Sequence, residues 1–325
     1  MNIVVTGSIA YDYLMTFPGS FSEHILPEHM ARISLSFLVD SMERRRGGCG
    51  PNIAYTLALL GERPHLMGTA GQDFDEYRVW LESVGVDTSL IRVIRHKFTA
   101  SFFCSTDCNN NQIASFYSGA MADARELSFK ELPFKPDIVI ISPNDPQAML
   151  RYAQECRELG IRHIFDPGQQ VARSSGEELK AGIIGADMLI CNDYEFEVIR
   201  QKTGLTEADV LYHAEALIIT RGEKGSTILL RDHRVDIPAV PEERVVDPTG
   251  VGDAFRGGLL KGLAAGADWE TCGRLGSVAA TFALEHIGGQ GHCYTWEQFQ
   301  ARYEAHFGPL PISFNGSKAP RHPDP

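Results

Sequence analysis

Short apolar runs alternate with longer amphipathic stretches along most of this chain of 325 residues. The runs predict buried strands, because few polar residues interrupt them; they lie at 2–6, 65–69, 137–142, 162–166, 187–191 and 216–220. The amphipathic stretches predict helices at 50–60, 73–85, 146–160, 251–265 and 268–286. This alternation predicts βαβ units, and therefore an α/β fold whose mostly parallel sheet carries helices on both faces. Ligands of such sheets bind beyond the carboxyl ends of the strands.

Two segments interrupt the alternation. Residues 12–46 contain no clean helix and include alternating stretches such as ARISLSFLV, and residues 98–118 predict two strands around a CNNNQ turn. Together they predict a small antiparallel sheet that lies over a site as a lid. The tail 308–325 is rich in proline and polar residues, so we expect it to be loose.

Charge and cysteine content narrow the class of protein. Acidic residues outnumber basic ones by 42 to 30, and the resulting net charge of −12 argues against a nucleic-acid partner. Seven cysteines are scattered without a C-x-x-C pair, which favours a reducing cytoplasm. The N-terminal MNIVVTGSIA lacks the features of a signal peptide, and no run of 18 apolar residues occurs. We expect a cytoplasmic protein with neither a nucleic-acid nor a membrane partner.

The most informative motif is DPTGVGD at 247–253. Its glycines lie at the mouth of a predicted helix, where backbone N–H groups and the helix dipole favour an anion. Asp253 follows in the first turn, and a carboxylate beside an anion hole is suited to accept a proton from an attacking hydroxyl. A glycine-rich turn with a dipole-complementing acid is the structural alternative. The chain has no G-x-x-x-x-G-K-[ST] loop, and Phe255 breaks a dinucleotide fingerprint.

A second glycine-rich motif, GGCGPN at 47–52, precedes another predicted helix. Its glycines allow close backbone approach to a ligand, and Asn52 can exchange hydrogen bonds with sugar hydroxyls. Asp12, shortly after the first strand, can accept from both hydroxyls of a cis-diol. A capped turn and a solvated loop carboxylate are the alternatives.

Two further motifs follow predicted strands. Asn192 and Glu195 can serve a phosphate and a magnesium-bound water, or form an ordinary helix cap. The turn at 220–225, TRGEKG, can clasp a nucleotide or form a plain β-turn.

Taken in order, these four motifs resemble the signatures of the ribokinase-like (PfkB) family of sugar and nucleoside kinases. The resemblance covers residues 2–290. It implies a doubly wound α/β kinase domain over 1–307, with a lid formed by segments 12–46 and 97–120. Pro248 and Val251 stand where the family has Thr and Ala, and Pro248 has no N–H to donate.

The resemblance also implies a role for each motif residue. Asp253 is expected to be the catalytic base acting on a primary hydroxyl, with Gly250, Val251 and Gly252 as the anion hole. The expected nucleotide contacts are Asn192, Thr220, Arg221, Gly222 and Gly225, with Glu195 holding Mg²⁺ through water. The residues expected to bind the hydroxyls of the sugar are Asp12, Gly47, Gly48 and Asn52. A monovalent cation, K⁺ in many relatives, is expected beside Asp247 and Thr249, although Pro248 weakens that expectation.

Several stretches, including NNNQIASFYSGAM at 109–121 and FDPGQ at 165–169, resemble the nucleoside-kinase branch, particularly prokaryotic adenosine kinases. A purine needs an apolar slot with aromatic faces, and the candidate residues are Phe37, Phe102, Phe116 and Met121. We therefore predict an ATP-dependent nucleoside 5′-kinase that prefers adenosine. A free-sugar kinase for ribose or fructose is the first alternative. A sensor that binds a nucleoside or nucleotide without catalysis is the second. The lid is a candidate surface for a homodimer.

Overall fold

The computed structural model describes residues 1–25 and 34–311. The described strands are β1 Ile3–Thr6, β2 Ala10–Thr16, β3 Ser41–Gly47, β4 His65–Gly71, β5 Ile91–Ile94, β6 Ala100–Thr106, β7 Gln112–Tyr117, β8 Ile138–Ile141, β9 Arg162–Phe165, β10 Met188–Asn192, β11 Ala216–Thr220, β12 Ser226–Leu229 and β13 Arg234–Ile237. The described helices are α1 Cys49–Leu59, α2 Asp75–Ser83, α3 Pro146–Leu159, α4 Gly176–Ile183, α5 Asp193–Thr203, α6 Glu207–His213, α7 Val251–Ala264, α8 Trp269–Leu284 and α9 Trp296–Phe307.

Nine strands form one large sheet in the order β13-β12-β11-β10-β9-β8-β1-β4-β5. The pairs from β5 through to β11 are parallel, whereas β12 and β13 continue the edge in antiparallel fashion. The mostly parallel α/β sheet predicted from the apolar runs is therefore confirmed. The two antiparallel edge strands, and β5 at the opposite edge, were not anticipated.

Both faces of this sheet are covered by helices, which gives two hydrophobic cores. Successive strand residues alternate between the cores: Ile138 and Ile140 enter one, and Val139 and Ile141 enter the other. Helices α1, α7, α8 and α9 cover the first face, and α3, α4, α5 and α6 cover the second. Burial on both faces explains why these strands appear in the sequence as uninterrupted apolar runs.

A second sheet of four strands has the order β3-β2-β6-β7. Its outer pairs are antiparallel and its central pair, β2 with β6, is parallel. The strands lie in the two segments that were expected to form the lid, 12–46 and 97–120, except that β2 begins two residues before the first segment and β3 ends one residue after it. Part of the alternating stretch ARISLSFLV, residues 31–33, lies outside the described residues, and its remainder, 34–39, forms no strand.

The end of the chain beyond residue 311, most of the predicted loose tail, lies outside the described residues. Among the helices that are described, none has the length and apolar character that a membrane span requires.

Candidate active site

The site is built where the carboxyl ends of the central strands meet the first turns of α1 and α7. Each of these helices has a glycine as its N-cap, Gly48 and Gly250, and both have positive φ angles of 95° and 78°. A Cβ on Gly48 would lie 2.3 Å from the Ser8 carbonyl oxygen, and one on Gly250 would lie 2.5 Å from the Gly289 Cα. Only glycine fits these positions, and both helix N-termini are thereby brought to the sheet edge.

The larger of two adjoining cavities at this edge has a volume of about 450 Å³, within the usual range for small-molecule sites. Six residues predicted to bind the acceptor line it: Asp12, Gly48, Asn52, Phe102, Phe116 and Met121. Thr249, Gly250 and Asp253 of the late motif line it as well. Gly47 lies next to the Asp12 carboxylate, because a Cβ added there would be 2.5 Å from Asp12 Oδ2.

The smaller cavity, of about 230 Å³, adjoins the first on the side of α5 and β11. Its walls include four residues predicted for the phosphate side, namely Asn192, Glu195, Thr220 and Gly252. The two cavities share Gly250 and Asp253. Arg221, Gly222 and Gly225 line neither cavity, and they form the turn between β11 and β12.

Asp253 is therefore placed between the two cavities. Asn52 Nδ2 donates a hydrogen bond to Asp253 Oδ2 at 2.9 Å. Burial raises the pKa of Asp253 to about 6, against the lowering effects of the Arg256 charge and the Asn52 hydrogen bond. A carboxylate with a pKa near 6 is ionised at neutral pH and is a stronger base than an ordinary aspartate.

A buried ion pair that was not singled out in the sequence lies beneath Asp253. Arg256 Nε donates to Asp166 Oδ2 at 2.6 Å, and its Nη2 donates to Asp166 Oδ1 at 2.5 Å. Ser142 Oγ also donates to Asp166 Oδ2, at 2.8 Å. Arg256 lies one turn after Asp253 on α7, and both Arg256 and Asp166 line the smaller cavity, so the ion pair brings donors of a guanidinium to the side assigned to phosphates together with the charge that balances it.

Asn192 and Glu195 form a reciprocal capping box at the start of α5. Asn192 Oδ1 accepts from the Glu195 N–H at 2.7 Å, and Glu195 Oε2 accepts from the Asn192 N–H at 2.7 Å. Burial raises the pKa of Glu195, although the hydrogen bond from Asn192 opposes this. The helix-cap interpretation is therefore correct, while both residues also line the smaller cavity.

Three predicted residues differ from their expected surroundings. Phe37 is not among the residues that line the larger cavity; its ring packs against Phe17 and Phe21, with centroids 5.0 and 4.9 Å apart. The Val251 N–H is already used, because it donates to the Pro248 carbonyl at 3.3 Å. Asn52 faces protein groups at both ends of its amide, since its Oδ1 accepts from Gln290 Nε2 at 3.0 Å.

The larger cavity also contains polar residues to which the sequence analysis gave no role: Ser8, Cys49, Gln169, Gln170 and Arg173. The FDPGQ stretch begins at the last residue of β9 and ends at Gln169. Its position after a central strand was the signal in the sequence that could have identified Gln169 as a site residue. Gln170 is held by a hydrogen bond from its Nε2 to the Asn144 carbonyl at 2.8 Å.

The profile of the pfkB family, described as carbohydrate kinases, matches residues 3–296. A protein of Methanocaldococcus jannaschii named nucleoside kinase is 32% identical over 306 residues, which cover 94% of this chain and 97% of that protein.

Two solved structures of the nucleoside kinase of Burkholderia thailandensis are 42% identical to this chain. The complex with inosine superposes with a TM-score of 0.85 and covers 96% of this chain and 100% of that one. The complex described as ADP-inosine has a TM-score of 0.83 and covers 96% of this chain and 98% of that one.

Proposed function

Because the chain belongs to the pfkB family of carbohydrate kinases, a family of phosphotransferases that act on an alcohol group, we propose that it is a nucleoside kinase which transfers the γ-phosphoryl group of ATP to the 5′-hydroxyl of a purine nucleoside. The observation that carries the proposal is the place of Asp253, shared between a partly apolar cavity and a cavity at helix N-termini. Such a position lets one carboxylate face the acceptor hydroxyl and the transferred group.

The larger cavity receives the nucleoside. Asp12, beside Gly47 and Gly48, accepts hydrogen bonds from the ribose hydroxyls, because a single carboxylate can accept from both. Phe102, Phe116 and Met121 form the apolar wall against the base. The Burkholderia relative binds inosine, and adenosine is the acceptor that we place first. A relative that binds a nucleoside favours this class over free ribose or fructose.

The smaller cavity receives the phosphates of ATP. Gly250 and Gly252 offer their N–H groups at the start of α7, where the helix dipole also favours negative charge. The Arg256 guanidinium also lines this cavity, paired with Asp166. Asn192 and Thr220 line the same cavity, and we expect the turn 221–225, which follows Thr220, to contact the nucleoside of ATP.

Magnesium accompanies ATP in this proposal. Carboxylate oxygens suit Mg²⁺, and Glu195 lines the smaller cavity with a second carboxylate oxygen besides the one that caps α5. Bound there, the ion would neutralise charge on the phosphates. Asp253 accepts the proton of the 5′-hydroxyl as that oxygen attacks, and Asn52 holds the carboxylate in place.

The proposal is tested with purified protein, Mg²⁺ and ATP by following ADP release with adenosine, inosine, guanosine, cytidine, ribose and fructose. We expect the highest kcat/KM with a purine nucleoside and adenosine as the best of the panel. A free sugar preferred over every nucleoside would contradict the proposal. No turnover with any acceptor, together with measurable nucleoside binding, would instead support a sensor.

A further inference from the structure

Arg45 connects the lid to the loop that precedes α7. On the antiparallel pair of β2 and β3, Arg45 is directly opposite Asp12, so both side chains are on the same face of the small sheet. The Arg45 guanidinium reaches Asp247, with Nη1 at 3.6 Å from Asp247 Oδ2. Its stem passes over Gly288, where an added Cβ would lie 3.7 Å from Arg45 Cδ.

The guanidinium is held by a second carboxylate and is only partly exposed. Arg45 Nε and Nη2 donate to Glu43 Oε2 at 3.0 and 2.6 Å, which leaves Nη1 directed at Asp247. Its side chain is 27% exposed and that of Asp247 is 18% exposed. Partial burial limits screening by salt, so the charge of Arg45 acts on its neighbours more strongly than at an open surface.

Each oxygen of Asp247 accepts a hydrogen bond from the protein, and one of them also faces a positive charge. Its Oδ1 accepts from the Thr249 N–H at 2.9 Å, and its Oδ2 accepts from the Gly288 N–H at 2.9 Å. Burial acts to raise the pKa of Asp247, but these hydrogen bonds and the Arg45 charge hold it below its usual value. The carboxylate is therefore ionised and compensated by groups of the protein itself.

These surroundings do not fit the monovalent cation expected beside Asp247 and Thr249. Such an ion binds oxygen ligands, whereas Asp247 Oδ2 faces an N–H and a guanidinium. A second positive charge at the same oxygen would be repelled by Arg45 at short range. Pro248, in the same loop, departs from the family pattern as well.

We propose that Arg45 takes the place of the monovalent cation, so that a positive charge carried by the lid positions the Asp247–Gly250 loop and catalysis is independent of K⁺. The proposal rests on the proposed function. Arg45 is a positioning residue, because it acts through Asp247 on the loop that supplies the Gly250 N–H. Because Arg45 lies on β3, a strand of the lid, the positive charge beside Asp247 depends on the position of the lid.

The test compares the wild-type protein with Arg45→Met in tetramethylammonium, sodium and potassium chloride at equal ionic strength. We expect the wild-type kcat to change by less than about twofold among the salts, whereas the variant loses about tenfold in tetramethylammonium, the loss of one partly buried charge, and recovers most of it in potassium. Recovery specific to potassium is a readout that a merely structural role of Arg45 would not produce.

Melting temperature gives a second readout that does not depend on turnover. We expect potassium to raise the melting temperature of Arg45→Met, because an ion that binds only the folded state stabilises it, and to leave the wild type unchanged relative to tetramethylammonium. If no acceptor is turned over, the proposed function fails, but this measurement still decides the role of Arg45.

Arg44→Met is the matched control. It removes the same charge from the neighbouring position of β3, but Arg44 pairs with Glu76 and stacks over Tyr11 at 4.8 Å instead of facing Asp247. We expect this variant, and Arg45→Lys, to stay independent of potassium in both assays. Potassium activation or stabilisation of the wild type would overturn the proposal, as would an Arg45→Met variant that is equally impaired in every salt.

Discussion

Replacement of Asp253 by Asn removes the proposed base while keeping the size and shape of its side chain. A positioned general base contributes about 10²- to 10⁴-fold to the rate, so we expect kcat to fall by about that factor. Binding of ATP should change little, because the N–H groups of Gly250 and Gly252 and the Arg256 charge are retained. Isothermal titration measures that binding, and coupled ADP release measures kcat.

The pKa of Asp253 gives the expected pH profile. With a pKa of about 6, the ionised fraction of Asp253 falls about tenfold between pH 7.5 and pH 5. The kcat/KM of the wild type should fall by at least this factor, because it reports the ionisation of the free enzyme and burial raises the pKa of Asp12 to about 6 as well. An aspartate with the ordinary value of 3.8 would change by less than a tenth over that range.

The raised pKa also makes the Asn variant more stable than the wild type at neutral pH. The folded protein holds the Asp253 proton more tightly than the unfolded chain, so stability is lost as the pH rises from 3.8 through about 6. A shift of this size corresponds to about 3 kcal/mol. Urea unfolding should therefore show Asp253→Asn more stable above pH 6 and equal to the wild type below pH 4.

Asp232→Asn, on an exposed turn, is the control for these measurements, and it should change neither kcat nor the pH profile. Near-normal turnover of Asp253→Asn would refute the base assignment. Equal stability of the two proteins at pH 7.5 would refute the argument that burial of this charge costs folding free energy.

Three further predictions concern the walls of the site. Asp166→Asn leaves the buried Arg256 without its carboxylate, and we expect urea unfolding to show a loss of about 3 to 5 kcal/mol; a loss below about 1 kcal/mol would contradict it. Asp12→Asn should raise the KM for nucleoside about 10- to 100-fold and leave the KM for ATP unchanged in initial-rate kinetics, because it weakens charged hydrogen bonds to the ribose alone. Gly48→Ala should lower the melting temperature more than Gly204→Ala, because both have positive φ angles but only Gly48 would place its Cβ against a backbone atom.

The main sheet was largely predictable, because a strand that is buried on both faces is apolar at nearly every position and can be recognised from its own sequence. Each central strand is a short apolar run, and the glycines at 48 and 250 mark the helix starts that close the site. The edge strands β12 and β13 carry mixed residues, such as Arg234 and Asp236, and their pairing depends on neighbours rather than on a periodic pattern. The sequence therefore contained little signal for them.

Contacts between distant segments were the part that the sequence could not supply. Arg256 and Asp166 are separated by 90 positions, and nothing near either residue indicates the other. Phe37 has the aromatic character of a base-stacking residue, but Phe17 and Phe21 offer it an equally suitable partner. The chemical character of a residue limits which groups its side chain can contact, but the fold decides which of these contacts forms. A homodimer through the lid stays a prediction that light scattering measures.

The hydrogen bond between Asn52 and Asp253 spans 201 positions of the chain, and this separation has a consequence for biosynthesis. During synthesis Asn52 is added 201 residues before Asp253, and Asp12 and Gly48 are added earlier still. Long-range pairs of this kind close late in folding, because the loop entropy must be overcome first. A chain truncated before Asp253 would keep Asp12 and Asn52 but lack the proposed base, and we expect it to transfer no phosphoryl group to a nucleoside.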